Sequence, residues 1–300
     1  MATRANGSTL ISERDTALIK TLSPSGTLET FAQVPGVVRG GEGGQLGLEI
    51  IERAGSEWLY AYTTTETDNR VQRFELLESS LGPAKTIIDG IPKAAIHNGG
   101  RLKAGPDGML YIGTGDATDK DAAQDPARLN GKILRLNPDG TVPAANPFTG
   151  SPVYSLGHRN IQGLAWDSAL RLWASELGPD RDDELNLVVP GGNYGWPEVT
   201  GAPHQEGFLD AVHVWISTAE ASPSALAILR GTAYVACLRG ERLWQLGLPP
   251  GEPATRGTLP DAEVALAGQG RLRDVIAVSE SELWIATNED VNSRIISLSV

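Results

Sequence analysis

Four histidines can serve as bases near neutral pH in this chain of 300 residues, and His97 has the setting best suited to that work. It lies in AIHNGGRL, directly ahead of the turn and strand GPDGMLYIGTGD, which puts its imidazole at the entrance to a β-hairpin. Imidazole titrates near neutrality and is the commonest general base. A histidine that only hydrogen-bonds a loop carbonyl is the plainer reading, and the run Asn98-Gly99-Gly100-Arg101 beside it favours the chemical one. His158 adjoins Arg159 in GHRN; neighbours on an extended chain point apart, so one of the two faces a site, and Arg159 is the choice. His158 then reads as a structural hydrogen bonder, and His204 and His213 as surface residues.

Two further groups carry charge in patterns that suggest ligands. Arg271 and Arg273 in GQGRLRDV stand two apart on an expected strand and so project to one face. Paired guanidiniums repel unless an anion lies between them, and arginine suits bidentate carboxylate recognition. Pairing with Asp274 is the competing account. The run 178–184, GPDRDDE, followed by GGNYGW, offers carboxylate and turn-carbonyl oxygens of the kind calcium takes six to eight of; a solvated acidic turn is its alternative. No GxSxG elbow, HExxH or phosphate-binding loop occurs, and GEGGQLG at 41–47 has no helix to follow it and is not a dinucleotide loop.

The elements that must position these groups repeat. A hairpin of two alternating strands recurs at 7–22, 56–76, 107–116 with 131–136, 170–188, 231–246 and 280–298. Alternation of apolar and polar residues bounded by Gly, Pro, Asn and Asp marks strands, and recurrence at this spacing marks propeller blades. The expectation is one all-β domain over residues 1–300, a six-bladed β-propeller. Because the first copy starts almost at Met1, a strand is expected to be missing and the closing blade incomplete. Segments 35–49, 90–102, 118–129, 137–163 and 191–213 hold most of the Gly, Pro, His and Asn, and are expected to converge as loops on one face.

Composition bounds the partners. Hydrophobic residues at 40% and charged residues at 21% suit a folded chain with a large core. A formal charge of −12 with no basic stripe excludes a nucleic-acid surface. The single cysteine, Cys237, excludes a disulfide framework. No apolar run is long enough to span a membrane. MATRANGSTLISERD has no apolar core of a secretory signal, so the expectation is either an internal protein or a chain that begins after its signal.

With these residues in view, the chain resembles the soluble pyrroloquinoline-quinone (PQQ)-dependent sugar dehydrogenases of the glucose/sorbosone dehydrogenase family. The resemblance runs through GEGGQLG, IHNGGRLKAGPDGMLYIGTGDATDKDAAQDP, GKILRLNPDGTVPAANPF, SLGHRNIQGLAWD, SELGPDRDDELNLVVPGGNYGWPEV and GRLRDV. It implies a six-bladed propeller that oxidises an aldose at C1 with PQQ and calcium, and passes electrons to an acceptor of unknown identity, as a monomer or homodimer. It further implies His97 as the base for the C1 hydroxyl, Arg159 as stabiliser of charge on the quinone oxygen, and Asn160, Arg239, Arg271 and Arg273 as cofactor ligands. Calcium is implied at the carbonyls of Gly178 and Pro179, and a second ion at Glu184 and Tyr194. Location outside the cytoplasm is implied as well.

The chain departs from the family pattern in places. Glu42 stands at a cofactor-facing position that is Gln in the best-known glucose enzymes, where a carboxylate would repel an anionic quinone. Leu177 stands where Gln or His is frequent, and the segment 215–224 is longer than its counterpart. Two other functions therefore stay open. A calcium-dependent lactonase-like propeller would need acids from several blades at the axis, and a binding module would have lost PQQ.

Overall fold

The computed structural model describes residues 1–251, 261–289 and 292–300. Its strands form six antiparallel sheets, each following chain order from the axis outwards. The first blade holds Ala2–Thr3, Thr9–Ser12, Leu18–Leu22 and Leu28–Gln33. The second holds Gln45–Arg53, Ser56–Thr64, Asn69–Glu75 and Lys85–Ile91, and the third Gly99–Ala104, Leu110–Thr114, Lys132–Leu136 and Val153–Leu156. In the fourth are Ile161–Trp166, Leu172–Glu176, Arg181–Val188 and His213–Ser217; in the fifth, Pro223–Leu229, Thr232–Cys237, Arg242–Gly247 and Glu263–Ala267. The sixth has three strands among the described residues, Leu272–Ser279, Glu282–Thr287 and Ile295–Ser299, as expected for a closing blade short of a strand. The tip of its hairpin at 290–291 lies outside the described residues. Among the described residues no helix is long and apolar enough to cross a membrane.

In the first five blades the recurring hairpin is the middle pair of strands, and in the sixth it is the outer two of the three described. Those strands are sandwiched between neighbouring blades and covered on both faces, so they are buried almost throughout, as in Leu110–Thr114 and Leu172–Glu176. Apolar clusters fill the seams between successive blades, such as Tyr60, Ile91, Leu102, Ile112 and Leu134 between the second and third, and Trp173, Leu185, Leu226 and Val235 between the fourth and fifth. The inner strands differ. They crowd round the axis and take small residues: a Cβ on Gly47 would lie 2.1 Å from the carbonyl oxygen of Gly100. Three of them, Gln45–Arg53, Gly99–Ala104 and Ile161–Trp166, begin inside segments expected to be loops, because glycines forced by close packing look like turn residues in sequence.

One side chain crosses the axis. Arg101, on the inner strand of the third blade, donates from Nε to the Gln162 carbonyl at 2.8 Å, from NH2 to the Ser224 carbonyl at 2.9 Å and from NH1 to Asp274 Oδ1 at 3.0 Å. Those partners stand on the fourth, fifth and sixth blades. Asp274 also accepts the ammonium of Met1 beside the first blade. Burial works against the Asp274 charge, yet Arg101 and the amino terminus outweigh it and hold its pKa below the usual carboxylate value. On one side of this clamp lies a cavity of about 510 Å³ lined by the downstream halves of the inner strands, including Leu48, Leu164 and Val275. On the other side the strands begin, and there the candidate site is built.

Replacing Arg101 with Met strands a buried carboxylate and two carbonyls. The expected loss is about 3–5 kcal/mol of stability, read from the urea midpoint at neutral pH. Because Asp274 titrates below its unfolded value of 3.8, its contribution is in force above that pH and is lost as the pH falls through the folded value. Arg101→Met should therefore flatten the acid side of the stability curve; an unchanged curve would remove the clamp from this account.

Candidate active site

His97 sits in the left-handed region, with φ of 59°. A non-glycine residue held there costs conformational energy and needs its surroundings to enforce it. The enforcement is visible: the His97 N–H donates to Glu42 Oε2 at 2.8 Å, and its carbonyl accepts from the Ala117 N–H at 3.1 Å. The loop so fixed presents the imidazole to two charged groups. Nδ1 lies 2.8 Å from Asp116 Oδ1, and Nε2 lies 2.9 Å from Arg159 NH2. A guanidinium can only donate, so Nε2 is the acceptor and the ring proton sits on Nδ1, directed at Asp116. Asp116 is buried, which raises its pKa; donation from His97, from the Thr118 N–H and from the Trp196 indole overcomes this and holds it below the usual value.

Arg159 is aimed from the turn between Val153–Leu156 and Ile161–Trp166. Its NH1 donates to the Leu177 carbonyl at 3.0 Å, while the buried Nε has no hydrogen-bond partner among the described residues. Burial draws the guanidinium below the ordinary arginine pKa, against the pull of Asp116, Glu176, Asp183 and Glu42. Glu176 shapes the turn beneath it, accepting the backbone N–H of Arg159 and, at 3.3 Å, that of Asn160. Its other oxygen meets His158 Nδ1 at 2.9 Å. His158 is fully buried, reaches Ser155 Oγ through Nε2 at 2.8 Å and stacks on Tyr194, which makes it the structural hydrogen bonder expected. Asn160 Oδ1 accepts from the Gly99 N–H at 3.1 Å and from Gln162 Nε2 at 3.0 Å, tying the third and fourth blades beside the base.

The Gly178-Pro179 turn borders a small pocket with Arg159, Glu176, Glu184, Tyr194 and Trp196. Glycine is required at its first position, where a Cβ would lie 2.0 Å from the Arg181 carbonyl oxygen. Asp183 braces the turn from behind, accepting from the Gly178 N–H at 2.8 Å and the Ser222 N–H at 2.7 Å. Burial, then the neighbouring charge of Glu176, push Glu184 up to about 8, against donation from Asn186 and the Gly201 N–H. The Tyr194 hydroxyl donates to the Leu187 carbonyl at 2.6 Å and accepts from the Val189 N–H at 3.0 Å. Among the described residues no three His, Cys, Asp or Glu side chains gather as a metal cage. A cation here would draw largely on backbone carbonyls, as calcium does.

The basic residues divide. Arg273 is on the inner strand of the sixth blade, and no side-chain hydrogen bond is found for it among the described residues; burial, then the nearby charge of Arg101, push it down to about 10. Arg271 precedes that strand, and the register shifts between Leu272 and Asp274, so the two do not share a face by simple alternation. Arg239 is exposed and donates to Thr218 Oγ1 at 3.0 Å. Three participants went unrecognised in sequence: Asp116, Glu176 and Trp196. Asp116 follows a strand and Glu176 ends one, where acidic residues look like ordinary turn flanks, and Trp196 lies in the long connection between Arg181–Val188 and His213–Ser217. His204 is exposed and meets Asp210, but His213 is half-buried edge-on to Trp215, with its pKa lowered by burial. Its alternate position in a strand, opposite Leu185, accounts for that.

Residues 1–296 match the family model described as glucose/sorbosone dehydrogenase. The chain belongs to this family. A PQQ-bound aldose sugar dehydrogenase from Streptomyces coelicolor superposes with a TM-score of 0.93 at 44% identity, covering 99% of this chain and 92% of that one. The quinoprotein glucose dehydrogenase B of Acinetobacter calcoaceticus is 35% identical over 239 residues, 67% of this chain and 50% of its own length. An aldose sugar dehydrogenase of Escherichia coli is 38% identical over 134 residues, 41% of this chain and 36% of that protein. This glucose/sorbosone dehydrogenase chain thus spans about half the length, or less, of these curated relatives.

Within this member of the family Glu176 is the anchor of the Arg159 turn. Glu176→Ala leaves two backbone N–H groups and His158 without their acceptor, with an expected cost of about 2–4 kcal/mol. Glu176→Gln keeps an oxygen for the backbone and should cost less than half as much. Urea midpoints of the two variants against the parent check this; equal losses would contradict it.

Proposed function

We propose that the chain is a quinoprotein sugar dehydrogenase, oxidising aldoses at C1 to the lactone with PQQ and calcium. The observation that carries this reading is the His97 imidazole held between Asp116 and Arg159, with Nε2 as the acceptor. Its family, and its 44% identity to an enzyme bound to PQQ, support the same reaction.

The residues fit an anionic quinone. Among the described residues Arg273 has no side-chain hydrogen-bond partner, and it is crowded by Arg101 and Arg14, so a carboxylate there relieves like-charge repulsion. Arg271, Arg239 and the amide nitrogen of Asn160 would complete the cradle. Glu42 is turned to the His97 N–H, which gives its charge a local partner. The carbonyls of Gly178 and Pro179 would hold calcium as a Lewis acid, and Glu184 with Tyr194 would hold a second ion. PQQ, when bound, supplies the acceptor for a hydride and its two electrons.

His97 takes the proton of the C1 hydroxyl at Nε2 as the C1 hydride departs. Asp116 stabilises the resulting imidazolium through Nδ1 and fixes the ring plane. Arg159 yields Nε2 to the sugar hydroxyl and turns its donors to the negative charge that grows beside it, the role of a preorganised charge stabiliser. A lactonase would need metal-binding acids from several blades gathered at one point, and among the described residues no three such side chains gather. The physiological electron acceptor and a working place outside the cytoplasm belong to this proposal as implied by the family.

With PQQ and calcium added, glucose or arabinose should reduce a dye, and His97→Asn should lower kcat by about 10²–10⁴-fold while calorimetry still finds PQQ binding. Arg273→Met is expected to weaken that binding by about 10–100-fold, the worth of a charged hydrogen bond. Chelation should abolish turnover and calcium restore it. A parent protein that neither binds PQQ nor reduces dye would sink the proposal.

A further inference from the structure

Behind the base, one side chain touches both groups that touch His97. The Trp196 indole Nε1–H donates to Asp116 Oδ2 at 2.9 Å, and the Arg159 guanidinium carbon lies 5.5 Å from the centre of the Trp196 ring. Asp116 Oδ1 is already engaged by His97 Nδ1 and by the Thr118 N–H at 2.8 Å. With both oxygens held, the carboxylate cannot rotate about its last bond, and its plane is set. Trp196 is itself held at both ends. Its backbone N–H donates to the Gly157 carbonyl at 2.9 Å, and its backbone carbonyl accepts from Gln124 Nε2 at 2.7 Å. Gln124 is paired in turn with Asn193, at 3.1 Å and 2.7 Å.

We propose that Trp196 is a positioning residue for the base: a strut that holds Asp116 and Arg159 in the relation that keeps the His97 proton on Nδ1 and Nε2 open as acceptor. The inference rests on the proposed reaction for its kinetic consequence, and on geometry alone for its structural one. Two properties of the side chain are used. The indole N–H fixes the carboxylate, and the ring face limits the guanidinium on one side through a cation–π contact. Phenylalanine at this position keeps the face and loses the donor; leucine loses both. Asp116 with one oxygen unpaired can turn, and a turned carboxylate no longer selects between the two neutral forms of the imidazole.

The test uses the full chain without added cofactor first. Histidine-selective ¹⁵N labelling gives ring-nitrogen resonances for four histidines, with His97 assigned by its loss in His97→Asn. The parent should show His97 as the Nδ1–H form alone, Trp196→Phe a mixture of the two neutral forms, and Trp196→Leu a larger share of the second. With PQQ and calcium, Trp196→Phe should lower kcat about tenfold with KM within about twofold, the loss expected when one hydrogen bond to a charged group leaves the transition state. A single Nδ1–H form in both variants, or an unchanged kcat in an active enzyme, would overturn the strut. A parent that turns over no aldose, while the ring-nitrogen signals still respond to Trp196→Phe, would overturn the proposed reaction and leave the strut standing.

Discussion

The propeller closes around a single guanidinium. Blades packed face to face bury their apolar seams two at a time, and no seam by itself fixes the whole ring. Arg101 does what the seams cannot: from the third blade it reaches carbonyls of the fourth and fifth and the carboxylate of the sixth. Its planar fork of donors suits that geometry, and a lysine could not serve all three directions. The partners lie 61, 123 and 173 residues away in sequence, so the axis is set only when almost the whole chain has arrived. Contacts of such separation slow folding.

How much of this was legible in sequence follows from burial. The middle hairpins were readable because strands covered on both faces carry dense β-branched, aromatic and apolar residues bounded by turn signals, and Ser56–Thr64 with Asn69–Glu75 is a clear case. Inner strands were hidden by their own packing: Gly47, Gly99 and Gly100 read as loop punctuation, whereas crowding at the axis demands them.

At the site, the groups whose chemistry is rare were found by type. His97 and Arg159 were expected to cooperate, and they lie in contact. Residues whose work depends on a partner brought from elsewhere were not found. Asp116 is one more acidic residue after a strand until the fold sets a tryptophan 80 positions away against its second oxygen. Glu176 likewise becomes an anchor only when the chain turns back over it. Side-chain direction was the weaker inference where a bulge intervened, as between Leu272 and Asp274.

Arg159 takes one of its bearings from the main chain at residue 177. A carbonyl is common to every amino acid, so the contact survives whatever side chain evolution places there. Position 177 can therefore drift between apolar and polar residues, altering what borders the pocket, without redirecting the guanidinium. A binding surface and a catalytic bearing share one residue and remain separately adjustable.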